Sequence, residues 1–276
     1  RYLPTSYCYF GYSSADSIMA RADSNGCAAG AVLEEAVLQG ALELIERDAV
    51  AIWWYNRVKR PGVDLASFDD RYISALLDRY AELRREIWAL DVTSDLGVPT
   101  FAAISRRVDQ PEQDIIYGFG AHLDPRVALI RALTEVNQSL EAVPVAAGPA
   151  SHRTYLADSD AIRWWRHTTV EDDAYLAPDP AVAPRRCTSF RELASDDLHQ
   201  DILTCTALAA ASGIELLVLD QTRPDVGLPV VRVVAPGLRH FWARYGPGRL
   251  YDVPVKLGWF PEPLTESELN HSVIQF

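Results

Sequence analysis

The run AAGAVLEEAVLQGALELIERDA, residues 28–49, constrains this chain more than any other segment. It holds no proline, and its apolar residues recur at helical intervals. At roughly 100° per residue, Glu35, Gln39, Glu43 and Glu46 fall within an arc of about 80°, with Arg47 at its edge. Val37, Leu38, Ala41, Leu42, Leu44 and Ile45 occupy the other side. The ordinary reading of such a stripe is a solvated face of an amphipathic helix. A solvated face usually interleaves Lys with Glu, however, and this one has none. Like charges one turn apart repel by a few tenths of a kcal/mol per pair unless a cation intervenes. A row of carboxylates suits a hard cation such as Mg²⁺.

A second helix is expected from Pro125 to about Leu140, with Asp124 as its N-cap and proline at its first position. Arg131, Glu135 and Gln138 share one face of it, while Val127, Ile130, Leu133 and Val136 are available for packing. Arginine beside glutamate suits phosphate held next to a metal. Neither helix follows a glycine-rich phosphate loop. A nucleotide here would be held through carboxylate-bound Mg²⁺ and arginines.

The remaining chain alternates irregularly. YCYFGY, residues 7–12, reads as a short strand, and the first long helix as spanning residues 29–57, ended by Pro61 and Gly62. Another helix is expected over residues 72–86, then strands over 87–92, 100–106 and 114–120 forming a meander. Residues 141–153 read as a surface connection, 185–196 as irregular, 198–212 as a helix capped by Gly213, and 214–220 and 229–235 as buried strands. From Tyr251 onward the tail is punctuated by prolines and ends near a short acidic helix. The fold class is α+β, with mixed helices packed on mostly antiparallel sheets.

An excess of 38 acidic over 26 basic residues, net charge −12, argues against a general nucleic-acid partner. The four cysteines have no metal-ligand spacing, and no signal peptide or membrane-length apolar run is evident, so a soluble cytoplasmic protein is expected. The chain opens with Arg1 and has Met19 as its single methionine, which suggests one segment of a longer polypeptide.

The run Ser24-Asn25-Gly26-Cys27-Ala28-Ala29-Gly30, then Glu35 and Glu43-Leu44-Ile45-Glu46-Arg47, resembles the first motif of the YcaO family. Gly118-Phe119-Gly120-Ala121-His122, with Arg131, Glu135 and Gln138, is similar to its second nucleotide motif. WWYNR at residues 53–57 and LDVTSDLGVP at 90–99 resemble the subgroup that makes azolines in ribosomal peptides. The resemblance implies a YcaO-like fold, with nucleotide motifs within residues 24–138 and residues 150–276 completing the core of a C-terminal portion. It further implies Mg²⁺ held by Glu35, Glu43, Glu46 and Glu135, and ATP contacted by Arg47, Arg131, Glu35 and Gln138. No residue is singled out as catalytic. The implied activity is ATP-driven cyclodehydration of Cys, Ser or Thr in a ribosomal precursor peptide. That peptide would be delivered by a leader-binding partner protein or domain, and a homodimer is compatible with the chain.

Thioamide formation from external sulfide and a catalytically silent scaffold are the alternatives. The family's N-terminal Ser and paired Glu have no counterpart here, and its proline-rich tail is replaced by LNHSVIQF, residues 269–276. A di-metal oxidase ranks low, because Glu-x-x-His pairs are lacking. Of the other polar residues, His122 is expected to cap or pack, and Asp220 and Arg232 to line a pocket or to serve as surface salt-bridge or turn residues. Trp53, Trp54, Trp164 and Trp165 are expected in the core, and Cys27 has no evident base to make it a nucleophile.

Overall fold

The computed structural model describes residues 1–12, 22–140 and 160–274; the expected connection at 141–153 lies outside them. The chain divides into two compact units. The first comprises Arg1–Leu44 and Asp196–Pro236, the second Ile45–Ser195 and Gly237–Phe276.

In the first unit, β1 (Cys27–Ala29), β6 (Val230–Val234) and β5 (Leu217–Asp220) form an antiparallel sheet in the order β1-β6-β5. Helix α2 runs Leu33–Asn56, starting four residues later than the periodicity predicts because Cys27–Ala29 pairs with β6 as a strand, and its first half belongs to this unit. Two glycines explain the packing. A Cβ on Gly40 would sit 2.7 Å from Val233 Cγ2, and one on Gly26 would sit 2.1 Å from the Val233 carbonyl oxygen. Helix and turn therefore approach β6 more closely than any side chain permits, which outweighs the helix-propensity cost of glycine at position 40. Helix α6 (Leu198–Ala211) is capped by the Asp197 carboxylate and ends before Gly213 at φ +74°.

Two expectations fail in this unit. Residues 7–12 form no strand; Thr5–Cys8 is a single helical turn, α1, and Gly11 takes φ +69°. Tyr9, Phe10 and Tyr12 are exposed, so the aromatic run has no buried sheet face to fill. Strand β5 is not buried but alternates between half-buried and exposed residues, as an edge strand with one covered face does.

The second unit is built on the expected meander, β2 (Arg85–Asp91), β3 (Thr100–Arg107) and β4 (Ile116–Ala121), antiparallel in the order β2-β3-β4. Helix α3 (Arg71–Glu82) ends four residues earlier than predicted, because Arg84 adopts φ +56° and the strand begins at Arg85. Ala89, Phe101, Ala103 and Ile116 pack with α3 and with α4 (Pro125–Leu140). Leu90, Ala102, Ile104, Tyr117 and Phe119 pack with the second half of α2. There Trp53 and Trp54 are fully buried, and Trp54 meets Tyr117, Trp164 and Tyr175 with ring centroids 5.1–5.7 Å apart. Trp164, on α5 (Asp160–His167), is buried and donates to the Ile115 carbonyl, while Trp165 is half-buried.

Helix α4 buries Ala128, Leu129, Ala132, Leu133 and Val136, while Ile130 packs against the same core half-buried and Val127 is half-buried. The glycines of β4 let this helix approach closely: a Cβ at Gly118 or Gly120 would lie 2.2–2.6 Å from backbone atoms of Ala128, Ala132 and Val136 in α4. In the tail, α7 (Arg249–Lys256) forms despite containing Pro254, and the acidic helix is the short 3₁₀ turn Glu266–Glu268.

Candidate functional site

In an antiparallel sheet alternate residues of an edge strand turn their N–H groups away from the neighbour. Strand β4 is an edge among the described residues. Two of its outward amides, Phe119 and Ala121, are taken by glutamates. Phe119 N–H donates to Glu135 of α4, and Ala121 N–H donates to Glu46 of α2 at 3.1 Å. The helices lie on opposite faces of the sheet, so carboxylates from both meet at one strand edge. Phe119 and Ala121 are two residues apart, about 7 Å along a strand.

Glu46 and Arg47 form an ion pair at 3.3 Å with side chains only 12% and 13% exposed. The Arg47 guanidinium also lies 5.0 Å from the centre of the Phe241 ring. Arg131 is half-buried, and burial pushes its guanidinium below the ordinary range while the Glu46 charge opposes that shift. The stripe expected to face solvent or a cation is therefore drawn into the protein at Glu46. Gln138, one turn beyond Glu135, is exposed.

Glu35 and Glu43 belong to the first unit. Glu43 accepts from Gly26 N–H at 3.1 Å, and Glu35 accepts from Ala31 N–H at 2.6 Å near the start of α2. Both are half-buried. Within the second unit the fold thus gathers Glu46, Arg47, Arg131 and Glu135, while Glu35 and Glu43 are placed by their own turns.

Among the described residues, no three His, Cys, Asp or Glu side chains are spaced to hold a metal ion. The donor chemistry nonetheless fits a magnesium-bound nucleotide. Mg²⁺ is commonly bound by one or two carboxylates, with phosphate oxygens and water completing its six positions. A carboxylate oxygen that accepts one amide hydrogen bond leaves lone-pair sites on the group for a cation.

Several residues weighed in the sequence have structural places. His122 Nδ1 accepts from Asp124 N–H at 3.0 Å, capping the start of α4 as expected. Asp220 accepts from Thr222 N–H in an exposed turn. Arg232 is not on the surface: it is fully buried and contacts Asp23 and Cys27. Cys27 is no activated thiol, since burial pushes it upward and Arg232 only partly opposes this.

A polar network goes unsignalled in the sequence. Asp48, fully buried one residue beyond Arg47, receives both Nε and Nη2 of Arg249, at 2.9 and 2.6 Å, and the Arg239 N–H at 2.7 Å. Arg249 also reaches Asp95 at 2.6 Å, which Lys256 joins at 2.7 Å. Its only trace in the sequence is an aspartate on the apolar side of a helix.

Residues 1–239 match the family model described as YcaO cyclodehydratase, ATP- and Mg²⁺-binding. An uncharacterized protein of Methanothermobacter thermautotrophicus is 31% identical over 87% of this chain and 62% of its own length. A heterocyclase solved with substrate and cofactor is 49% identical, with a TM-score of 0.93 over 100% of this chain and 36% of that one. The heterocyclase TruD is 47% identical, with a TM-score of 0.88 over 100% of this chain and 38% of its own. YcaO from Methanopyrus kandleri, solved with AMPPCP and Mg²⁺, shares the fold at 22% identity and a TM-score of 0.64, over 85% of this chain and 59% of that one. The chain thus spans roughly a third to two thirds of the length of these relatives. It has no helix among the described residues long and apolar enough to cross a membrane. With the motifs at both helices and the family match over most of its length, the chain belongs to the YcaO cyclodehydratase family.

Proposed function

We propose that this chain carries nucleotide-handling residues of an enzyme that uses ATP to activate backbone amides, forming azolines from Cys, Ser or Thr of a ribosomal precursor peptide. The observation that carries the reading is the meeting of Glu46 and Glu135 at one strand edge, with Arg131 and Arg47 beside them. Identities of 49% and 47% to two heterocyclases support azoline formation over thioamide formation.

In this reading Glu46 and Glu135 hold Mg²⁺, with Glu35 and Glu43 as further carboxylates of the first motif. Bound Mg²⁺ supplies charge neutralisation along the triphosphate. Arg131 and Arg47 bind phosphate oxygens, and the low exposure of Arg47 strengthens its field there. Gln138 lies at the rim of α4, where it can contact nucleotide. The peptide's own thiol or hydroxyl adds to the preceding carbonyl carbon, its proton passing to solvent. The resulting oxygen takes the terminal phosphoryl group of ATP, releasing ADP. Phosphate then leaves as the amide nitrogen loses its proton, closing the C=N bond of the ring. Amide oxygen is a poor leaving group and phosphate a good one, so positioning and electrostatics provide the catalysis. The peptide is brought by a leader-binding partner protein or domain.

Titration of Mg·ATP into the full protein tests the nucleotide reading. Saturable heat is expected, and Glu43→Gln or Glu46→Gln should weaken the affinity severalfold while leaving it measurable. Absence of heat from wild-type protein refutes the reading and favours a scaffold. Mass spectrometry of the cognate peptide after incubation with Mg·ATP tests the chemistry. Loss of one water per ring supports cyclodehydration, whereas exchange of oxygen for sulfur refutes it in favour of thioamidation.

A further inference from the structure

We infer that Arg232 is a positioning residue for Glu43, acting through the turn that precedes β1. The inference rests on the nucleotide reading above, in which Glu43 is one of the carboxylates around the triphosphate.

Arg232 lies in the middle strand of the first unit's sheet, directly across from Cys27 in the β1–β6 ladder. It is fully buried, unusual for a residue that keeps its charge. Its guanidinium is spent on one short segment. Nη1 donates to the Asp23 carbonyl at 2.6 Å and reaches Cys27 Sγ at 3.4 Å, while Nη2 lies 3.3 Å from the Asp23 carboxylate. The ring of Tyr7 covers the cation, 4.5 Å from its centre. Both ends of the Asp23–Cys27 turn are thereby gripped by a single side chain.

The turn passes that grip to the carboxylate. Asp23 also accepts from Asn25 N–H at 3.0 Å, and Cys27 N–H closes the turn on the Ser24 carbonyl at 2.9 Å. Gly26 is left at φ +73° with its carbonyl accepting from Val233 N–H at 2.7 Å. Its own N–H points at Glu43 and donates to it at 3.1 Å. The direction of that amide is fixed by the turn, and the turn is fixed by Arg232. A charge-assisted hydrogen bond of this kind orients a carboxylate more tightly than packing alone.

The test has two arms. Hydrogen exchange of the full protein without nucleotide should show amides 24–27 of Arg232→Lys exchanging about tenfold faster, the loss of a charge-assisted bond. Helix α6 of the same unit should keep wild-type protection. Equal acceleration in both segments, or no change at 24–27, overturns the role. The second arm is a double-mutant cycle on Mg·ATP affinity. Arg232→Lys should weaken binding about tenfold, and adding it to Glu43→Gln should cause no further loss, because coupled sites are non-additive. Independent losses overturn the inference. If Arg232→Lys does not fold, Asp23→Asn replaces it in both arms with the same expected pattern. Wild-type protein that binds no Mg·ATP refutes the nucleotide reading, while the exchange arm still decides whether Arg232 sets the Gly26 amide.

Discussion

Adding one methyl group at Gly120 should disrupt both fold and site. The new Cβ would stand 2.2 Å from the Ala128 carbonyl oxygen, 2.6 Å from Ala132 N and 2.9 Å from Arg131 Cβ. Ordinary contacts begin near 3.4 Å, so α4 must lift from β4 by roughly 1 Å. Two of the three obstacles are helix backbone, which cannot turn aside individually. Overpacking of this kind costs about 1–3 kcal/mol. The lift also pulls Glu135 away from the Phe119 amide, and losing a hydrogen bond to a charged group adds about 1.5–3 kcal/mol. A total of about 2.5–6 kcal/mol is expected for Gly120→Ala. Gly97→Ala is the control. That glycine has φ +70° and nothing within 4 Å of the added atom, so the cost is left-handed backbone alone, about 1 kcal/mol. Urea unfolding gives the stabilities and a Mg·ATP titration gives the effect on the site. Gly120→Ala should lose both stability and nucleotide affinity, and Gly97→Ala only a little stability. A Gly120→Ala protein no less stable than Gly97→Ala would refute the close-packing argument.

Other perturbations address the buried network. Arg249→Met leaves Asp48 charged and fully buried, and breaking such a pair should cost about 3–5 kcal/mol in thermal or urea unfolding; a loss below 1 kcal/mol, the scale of an exposed pair, contradicts this. Asp95 is partly desolvated, which raises its carboxyl, yet hydrogen bonds from Arg249 and Lys256 prevail and hold it below the usual carboxylate range. A carboxyl lowered on folding stabilises the native state above its unfolded pKa, and that contribution fades as pH falls through the folded value. Asp95→Asn should therefore lower the melting temperature at pH 7, with the gap to wild type narrowing below about pH 4. A gap constant from pH 7 to pH 3 would show that the carboxylate charge contributes nothing.

Local periodicity made most of the fold legible. The spacing of Leu38, Leu42 and Ile45 gives α2, and alternation with turn residues between runs gives the meander. What depended on distant partners was hidden. The YCYFGY run has the composition of a strand, but no described strand pairs with it. That Ala128, Ala132 and Val136 of α4 lie almost on the strand backbone was hidden too, since only Gly118 and Gly120, on another element, allow that approach. The gathering of Arg47, Glu46, Arg131 and Glu135 was visible as two motifs, because each lies on a helix whose phase the sequence sets. That both glutamates seek the same strand edge was not, since nothing local assigns an acceptor to the Phe119 and Ala121 amides. Arg232 and Asp48 looked ordinary because their partners are far away in sequence, at Asp23 and Arg249.

The pairing of Glu46 and Glu135 with β4 bears on solubility as well as chemistry. Unclaimed amides along a sheet margin invite strands from other molecules, and evolution commonly blunts such margins with charge. Here the blunting groups are the ones assigned to the ion. Alanine at either position would uncover part of a hydrophobic strand while deleting its guard, so clumping could masquerade as lost catalysis. Glutamine keeps an acceptor for the amide and removes only the negative charge, making it the replacement that separates the two effects.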